Sequence, residues 1–404
     1  MRYSLFVPLL LSLLLGGCRH DHDEVTTYTT TIYYGDVNED AVVAIDVDTM
    51  SLKSVEASNG LYPYEIASAP GSDLYVINRK DHTIGLMESS GNTIYDEIEL
   101  MFMPRSVAIS GEETLVSGVD EPSEAIFTDA GCSERYNDSV FVPPSSYGGS
   151  NATGHPYWID DRYFLLLDRT EKSLELYDKD IFTPVSKINT SSSVHHVLSR
   201  DGIYYGILEG EQGVVSPGIV KFTVAEGKIV LLTERLLSDL DGLPTDFLAE
   251  SWGAHHGALH PDSDHIYIGS AEGNVFVLDL DTLMLTDTFP AGKGVGHFLF
   301  YGTVVIVTNH YDTFKSFYDA TDPTAHRFLK ELSFSDMVYD GVTMQSHTSH
   351  IINGYLYFTF NTVAESRLYK VDLSTFEVAG SLVLSGRYLL MGSVISSSTT
   401  TDGM

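Results

Sequence analysis

The chain has 404 residues, with 23 Lys+Arg against 56 Asp+Glu and a net charge of −33. Such an acidic surface repels nucleic acid and anionic headgroups, which excludes a nucleic-acid partner and suits a solvated exterior that concentrates cations. Two cysteines, Cys18 and Cys132, are too few for a disulfide framework.

In chain order, Met1-Arg2 is a positive n-region, and SLFVPLLLSLLL is an apolar run too short to span a bilayer with polar flanks. It ends in Leu15-Gly16-Gly17-Cys18, which resembles a bacterial lipobox. The resemblance implies a lipoprotein signal peptide over 1–17 and lipid on the Cys18 thiol. The mature protein is then expected in the periplasm of a Gram-negative bacterium, tethered to the membrane by that lipid alone. Residues 18–28 read as a flexible arm. It opens with His20, Asp21, His22 and Asp23, two imidazoles and two carboxylates that can chelate a metal together without a preformed fold.

From Thr29 onward, short runs of alternating apolar residues rich in Tyr, Val, Ile and Phe are separated by Gly, Asp, Asn and Ser. This is strand chemistry. Examples are DLYVINRKDHTIGLME and HIYIGSAEGNVFVLDLDTLMLTDTF. Units begin near Leu61, Met103, His155, Val194, Trp252, Val295 and Ser346, mostly about forty residues apart, the length of a four-stranded propeller blade. An eighth set starts at Thr29 without its first strand, and SGRYLLMGSVIS near the C-terminus supplies it. The fold class is therefore all-β. A single β-propeller is expected over 29–396, of eight four-stranded blades (seven if one unit is irregular), its ring closed by N- and C-terminal strands so that no edge is exposed. Residues 137–153 and 237–251 read as long loops, and 397–404 as a disordered tail.

Eight of the fifteen histidines sit where units start: His155, His195, His196, His255, His256, His297, His347 and His350. The first strand of a propeller blade is innermost, so these starts converge on one mouth of the central channel. Alternation predicts that only one of His195/His196 and one of His255/His256 faces inward. The expected metal set is His155, His196, His255, His256, His297, His347 and His350. His260 is a weaker candidate, and His82, His265, His310 and His326 read as surface or loop residues. Glu250, Asp160 and Asp161 read as solvated loop carboxylates. Neutral imidazole is the commonest side-chain metal ligand near neutral pH and suits zinc, with copper as the alternative. No GxSxG, HExxH, P-loop or Rossmann motif is present, and no general base is evident, so the chain is read as a non-enzyme. A metal-dependent propeller hydrolase or lactonase is the competing class.

The lipobox, the HDHDE arm and the inner-strand histidines, most visibly Ala254-His255-His256-Gly257 and Ser346-His347-Thr348-Ser349-His350, together resemble the periplasmic zinc metallochaperones of the AztD type. The resemblance covers the architecture over about 30–396. It implies a monomeric β-propeller that holds zinc in its channel and delivers it to the solute-binding protein of a zinc ABC importer. The acidic-histidine arm would then capture or hand over the metal.

Overall fold

The computed structural model describes residues 24–68, 73–89, 93–119, 124–128, 152–241, 243, 254, 256–334 and 344–402. These residues are almost entirely β-structure. Hydrogen bonding groups the strands into one eight-stranded, one three-stranded and five four-stranded sheets. The eight-stranded sheet is joined across its middle by one parallel bridge, Met391 with Glu65. Divided there, the described strands form eight successive units of three or four antiparallel strands. The expected unit starts fall within a few residues of the observed inner strands, such as Pro63–Ser68, Pro104–Ser110, Val194–Arg200 and Val295–Tyr301.

The N- and C-terminal strands share one unit. Glu24–Asp36 pairs with Leu389–Asp402, which is its innermost strand and lies beside the second unit. This pairing runs past the boundaries expected from sequence. Residues 24–28, assigned to the arm, and 397–402, assigned to the tail, are paired in register from Glu24–Asp402 to Thr29–Ser397. The segments are rich in Thr, whose β-branched side chain favours the extended backbone, and pairing satisfies backbone groups that a lone strand would leave to water. Residues 1–23 and most of both expected long loops lie outside the described residues. Within the second loop, Leu237–Asp239 forms a single 3-10 turn that buries Leu237.

Burial follows strand position. The second strands are buried almost throughout, as in Leu74–Asn78, whereas outer strands such as Ser51–Ala57 and Thr183–Asn189 alternate between exposed and half-buried. The apolar core divides into eight clusters that each bridge two neighbouring units. Ile207 and Ile219 of the fifth meet Ile266 and Phe276 of the sixth. Tyr357 and Leu368 of the eighth meet Ile32 and Val43 of the first, which closes the ring. Each buried Val, Leu, Ile or Phe contributes about 1.5–3 kcal/mol, so each unit draws stability from burial against its neighbours.

Candidate metal centre

The inner strands share an irregularity. Their pairing with the second strand slips by one residue between Pro63 and Glu65, Pro104 and Ser106, Val194 and His196, and Val295 and His297. Each slip is a β-bulge, which adds one unpaired residue and re-aims its neighbours. The residue after the bulge falls at one equivalent position in these four units. Thr153 bridges Asp168 and Gly257 pairs with Ile268, which puts His155 and His256 at the same position in the fourth and sixth units. Four consecutive units thus present His155, His196, His256 and His297.

Their rings converge. His256 lies 4.8 Å from His155, 4.6 Å from His196 and 4.1 Å from His297, centroid to centroid. His195, the bulge residue itself, is also inside the group, 5.1 Å from both His155 and His256. The expectation that strand alternation admits only one of His195 and His196 is therefore corrected, because the bulge breaks the alternation at that point. One nitrogen each from His155, His195 and His256 lie within 4.8 Å of one another. Tetrahedral zinc with bonds of roughly 2.0–2.1 Å sets donor atoms about 3.3 Å apart, so closing on an ion takes side-chain rotations of the order of 1 Å.

The two central histidines of the fifth unit differ in their surroundings. Fully buried His195 places Nδ1 2.9 Å from Glu209 Oε1 and Nε2 3.2 Å from Arg105 Nη2. A guanidinium only donates, so Nε2 accepts and Nδ1–H donates to the carboxylate. Glu209 is itself clamped by Arg169 (2.6 and 2.7 Å) and by Ser193 Oγ at 2.6 Å. His196 Nδ1 has no hydrogen-bond partner among the described residues. Burial lowers the His196 pKa to about 4, so the ring is neutral and able to ligate at pH 7. Ser106 Oγ lies 3.0 Å from His155 Nδ1, so a metal on His155 would take Nε2.

His310 completes the group, and the sequence reading missed it. It is 7% exposed rather than a surface residue, and its ring stands edge-on to His297 at 5.5 Å. Gly296, the bulge residue of that unit, makes room for it: a Cβ there would sit 2.1 Å from His310 Nε2. His310 follows the second strand Val304–Asn309, and in an antiparallel pair the end of the second strand adjoins the start of the first. Arg79, Arg169 and Glu209 likewise directly follow second strands. The missed signal was a polar residue directly after the second strand in several units.

The other candidates separate. His350 packs edge-on against Tyr34 at 6.2 Å, and none of its described ring contacts is with this group. His260 is buried, with Nε2 3.2 Å from the Ala320 carbonyl oxygen, a packing role. His326 is not a surface residue either: its side chain is buried, with Nδ1 2.8 Å from Asp287 Oδ2 and Nε2 2.7 Å from Tyr267 Oη. His265 is half-buried beside Ser263, and His82 sits in a turn at φ 61°. Asp160 accepts the Arg162 and Tyr163 amides, as a turn residue does. His255, Glu250, Cys18, His20, Asp21, His22 and Asp23 lie outside the described residues, as does the side chain of His347.

The arm's point of attachment follows from the strand register. Asp36 pairs with Leu389 at the mouth and Glu24 with Asp402 at the far end of a 13-residue strand. At about 3.4 Å per residue this is about 40 Å. The described chain therefore begins on the side of the ring away from the histidines, and the six residues 18–23 span at most about 20 Å.

Fold and site together define a β-propeller with a histidine-lined channel mouth. Solved structures of the same architecture include apo AztD from Citrobacter koseri, with TM-score 0.62 and 10% identity over 93% of this chain and 98% of that one. A second structure of Citrobacter koseri AztD gives TM-score 0.61 and 11% identity over 92% and 99%. The dihydro-heme d1 dehydrogenase NirN in complex with DHE gives TM-score 0.65 and 12% identity over 89% of this chain and 74% of that one. At these identities the likeness is one of fold. No family model matches the chain, and no curated protein matches it in sequence.

Proposed function

We propose that this protein is a zinc carrier that holds its cargo ion among the imidazoles at the channel mouth, with His155, His195 and His256 as the core of the ligand set and His196 as a further donor. The observation that carries this reading is the convergence of rings from four consecutive units on one region, at centroid separations of 4.1–5.9 Å. Imidazole donors suit a borderline ion such as zinc, and copper is the competing cargo because it binds such sites more tightly. The Glu209–His195 pair has the form of a carboxylate that orients a histidine beside a metal. The likeness in fold to AztD supports a carrier, and the lipobox supports a place outside the cytoplasm, on the membrane. The recipient would be the solute-binding protein of a zinc ABC importer. The arm, attached on the opposite side of the ring, would act in capture or docking away from the mouth rather than by reaching into it.

The test is metal analysis of the soluble body, purified without Cys18 or an affinity tag, then stripped and titrated with zinc and with copper. About one tightly held zinc per chain, passed to an importer's solute-binding protein on mixing, supports the carrier. Failure of both metals to bind overturns it, and zinc bound together with turnover of an ester or lactone favours a hydrolase.

A further inference from the structure

A second group of cation-ligating side chains lies away from the histidines, between the third and fourth units. Asp168, Glu171 and Glu175 bring one carboxylate oxygen each to within 4.8 Å of one another; Asp168 is buried and the Glu175 side chain is 12% exposed. A carboxylate cluster alone says little, because hydrogen bonds account for much of it. Asp168 Oδ1 accepts from the Thr170 amide and hydroxyl and from the Glu171 amide. Glu175 Oε1 is 2.7 Å from Lys187 Nζ and 3.5 Å from Ser173 Oγ, and Oε2 is 3.2 Å from the Tyr177 hydroxyl. Lys187 also reaches Glu171 Oε2 at 2.7 Å.

The independent observation is Glu124. It is 3% exposed, and neither of its carboxylate oxygens has a hydrogen-bond partner among the described residues. Its strand face shows where it points. Glu124 and Ile126 are two apart on the strand Glu124–Thr128, so they share a side. Asp168 shares a side with Phe164 and Leu166, and Glu175 shares one with Tyr177, by the same rule. Ile126, Phe164, Leu166 and Tyr177 pack in one apolar cluster. The three carboxylates therefore continue the faces that meet across this interface, with Glu124 supplied by the third unit and the others by the fourth. Burial, and then the charge of Glu175, hold the Glu124 carboxyl well above the ordinary carboxylate range. A buried carboxyl with no partner among the described residues, under the charge of Glu175, is costly unless a proton or a cation compensates it.

We propose that a hard divalent cation of the calcium class binds between the third and fourth units on the carboxylates of Glu124, Asp168 and Glu175, with Glu171 at its outer edge. All the donors are oxygen, which selects calcium over the imidazole-preferring ions of the mouth. Lys187 holds the place in the absence of the ion. Its side chain is 39% exposed, so its ammonium can swing into water when the cation takes Glu175. The ion would join two units that also meet through the apolar cluster and through hydrogen bonds such as Trp158 Nε1 to the Ala108 carbonyl oxygen, and would act as a structural clamp distinct from the cargo site.

The probe is calcium chloride added to the chelator-stripped soluble body, with affinity read by calorimetry and stability by the thermal midpoint. Wild type is expected to bind one calcium with a dissociation constant of about 10⁻⁴–10⁻³ M, the range of extracellular calcium modules, and to melt higher when loaded. Glu124→Gln keeps the shape and removes the charge. Its calcium-free midpoint should match or exceed that of wild type, while its affinity falls at least about tenfold and the calcium-dependent rise disappears. Glu175→Gln should lose binding as well, and His256→Ala should leave it intact. No calcium response in wild type, or an equal response in Glu124→Gln and Glu175→Gln, overturns the site and leaves Glu124 as a buried protonated carboxyl.

Discussion

The channel mouth has two unlike halves built on the same backbone. In the second and third units the post-bulge positions hold Glu65 and Ser106, with Arg105 at one bulge and Arg79 after the second strand. Burial pushes the Glu65 carboxyl up to about 7 against the pull of Arg79 and Arg105, and burial lowers the Arg105 guanidinium to about 10. From the fourth to the seventh unit the same positions hold His155, His196, His256 and His297. The second and third units bring the Arg79 and Arg105 guanidiniums and the Glu65 carboxyl to the mouth, and the fourth to seventh units bring the imidazoles, with Arg169 and Glu209 behind them. The propeller repeats the position, and the residue placed there decides the chemistry.

The sharpest way to break this contrast is His256→Ala, since that ring neighbours four others of the group. Loss of a direct ligand should exceed the effect of removing an orienting partner, so zinc affinity in chelator competition should fall by more than about 100-fold. Glu209→Gln replaces the carboxylate that accepts His195 Nδ1–H with a neutral amide and removes the charge paired with Arg169. The expected loss of zinc affinity is about 10–100-fold, with a lower thermal midpoint because Arg169 loses its ion-pair partner.

Stability under the histidine half gives a third test. Lys315 is fully buried, donates to Thr308 Oγ1 at 2.9 Å, and Thr308 is the register partner of His297. Burial lowers its pKa to about 7, against about 10.4 for an unfolded lysine. Between these values the unfolded chain binds more protons, so this lysine makes stability rise with pH from about 7 to about 10. Lys315→Met should remove that slope and raise stability near and below pH 7 by a few kcal/mol, of the order of the pKa difference. Denaturant melts at pH 6, 8 and 10 would show it.

A smaller effect is expected from Gly296→Ala, which displaces the His310 ring without touching the post-bulge histidines. Zinc affinity should fall several-fold, and the visible spectrum of a cobalt-substituted protein should change. Deleting residues 19–23 should leave zinc affinity at the mouth within about twofold, because the arm is attached some 40 Å of strand away. An equally large loss there and in His256→Ala would contradict the separation of arm from mouth.

Much of this was legible in the sequence. The forty-residue spacing and the alternating runs located the strands, and the excess of imidazoles at unit starts located the mouth. The contrast within the mouth was not legible, for two physical reasons. A β-bulge leaves no mark in a period-two pattern, so His195 and His196 looked mutually exclusive although both enter the group. The second reason is that His310, Arg169 and Glu209 lie in sequence at the ends of second strands, far from the inner-strand starts that antiparallel pairing sets beside them. His350 shows the converse: a histidine on an inner strand, in an irregular pairing between Gln345 and Ser349, turned onto Tyr34.

The most direct test of the central claim is the X-ray absorption spectrum of the zinc-loaded soluble body. The account predicts a first shell of three or four nitrogens at about 2.0–2.1 Å with the outer scattering of imidazole rings, reduced in His196→Ala and His256→Ala. A shell dominated by oxygen, or an imidazole shell unchanged in both variants, would place the metal elsewhere and contradict it.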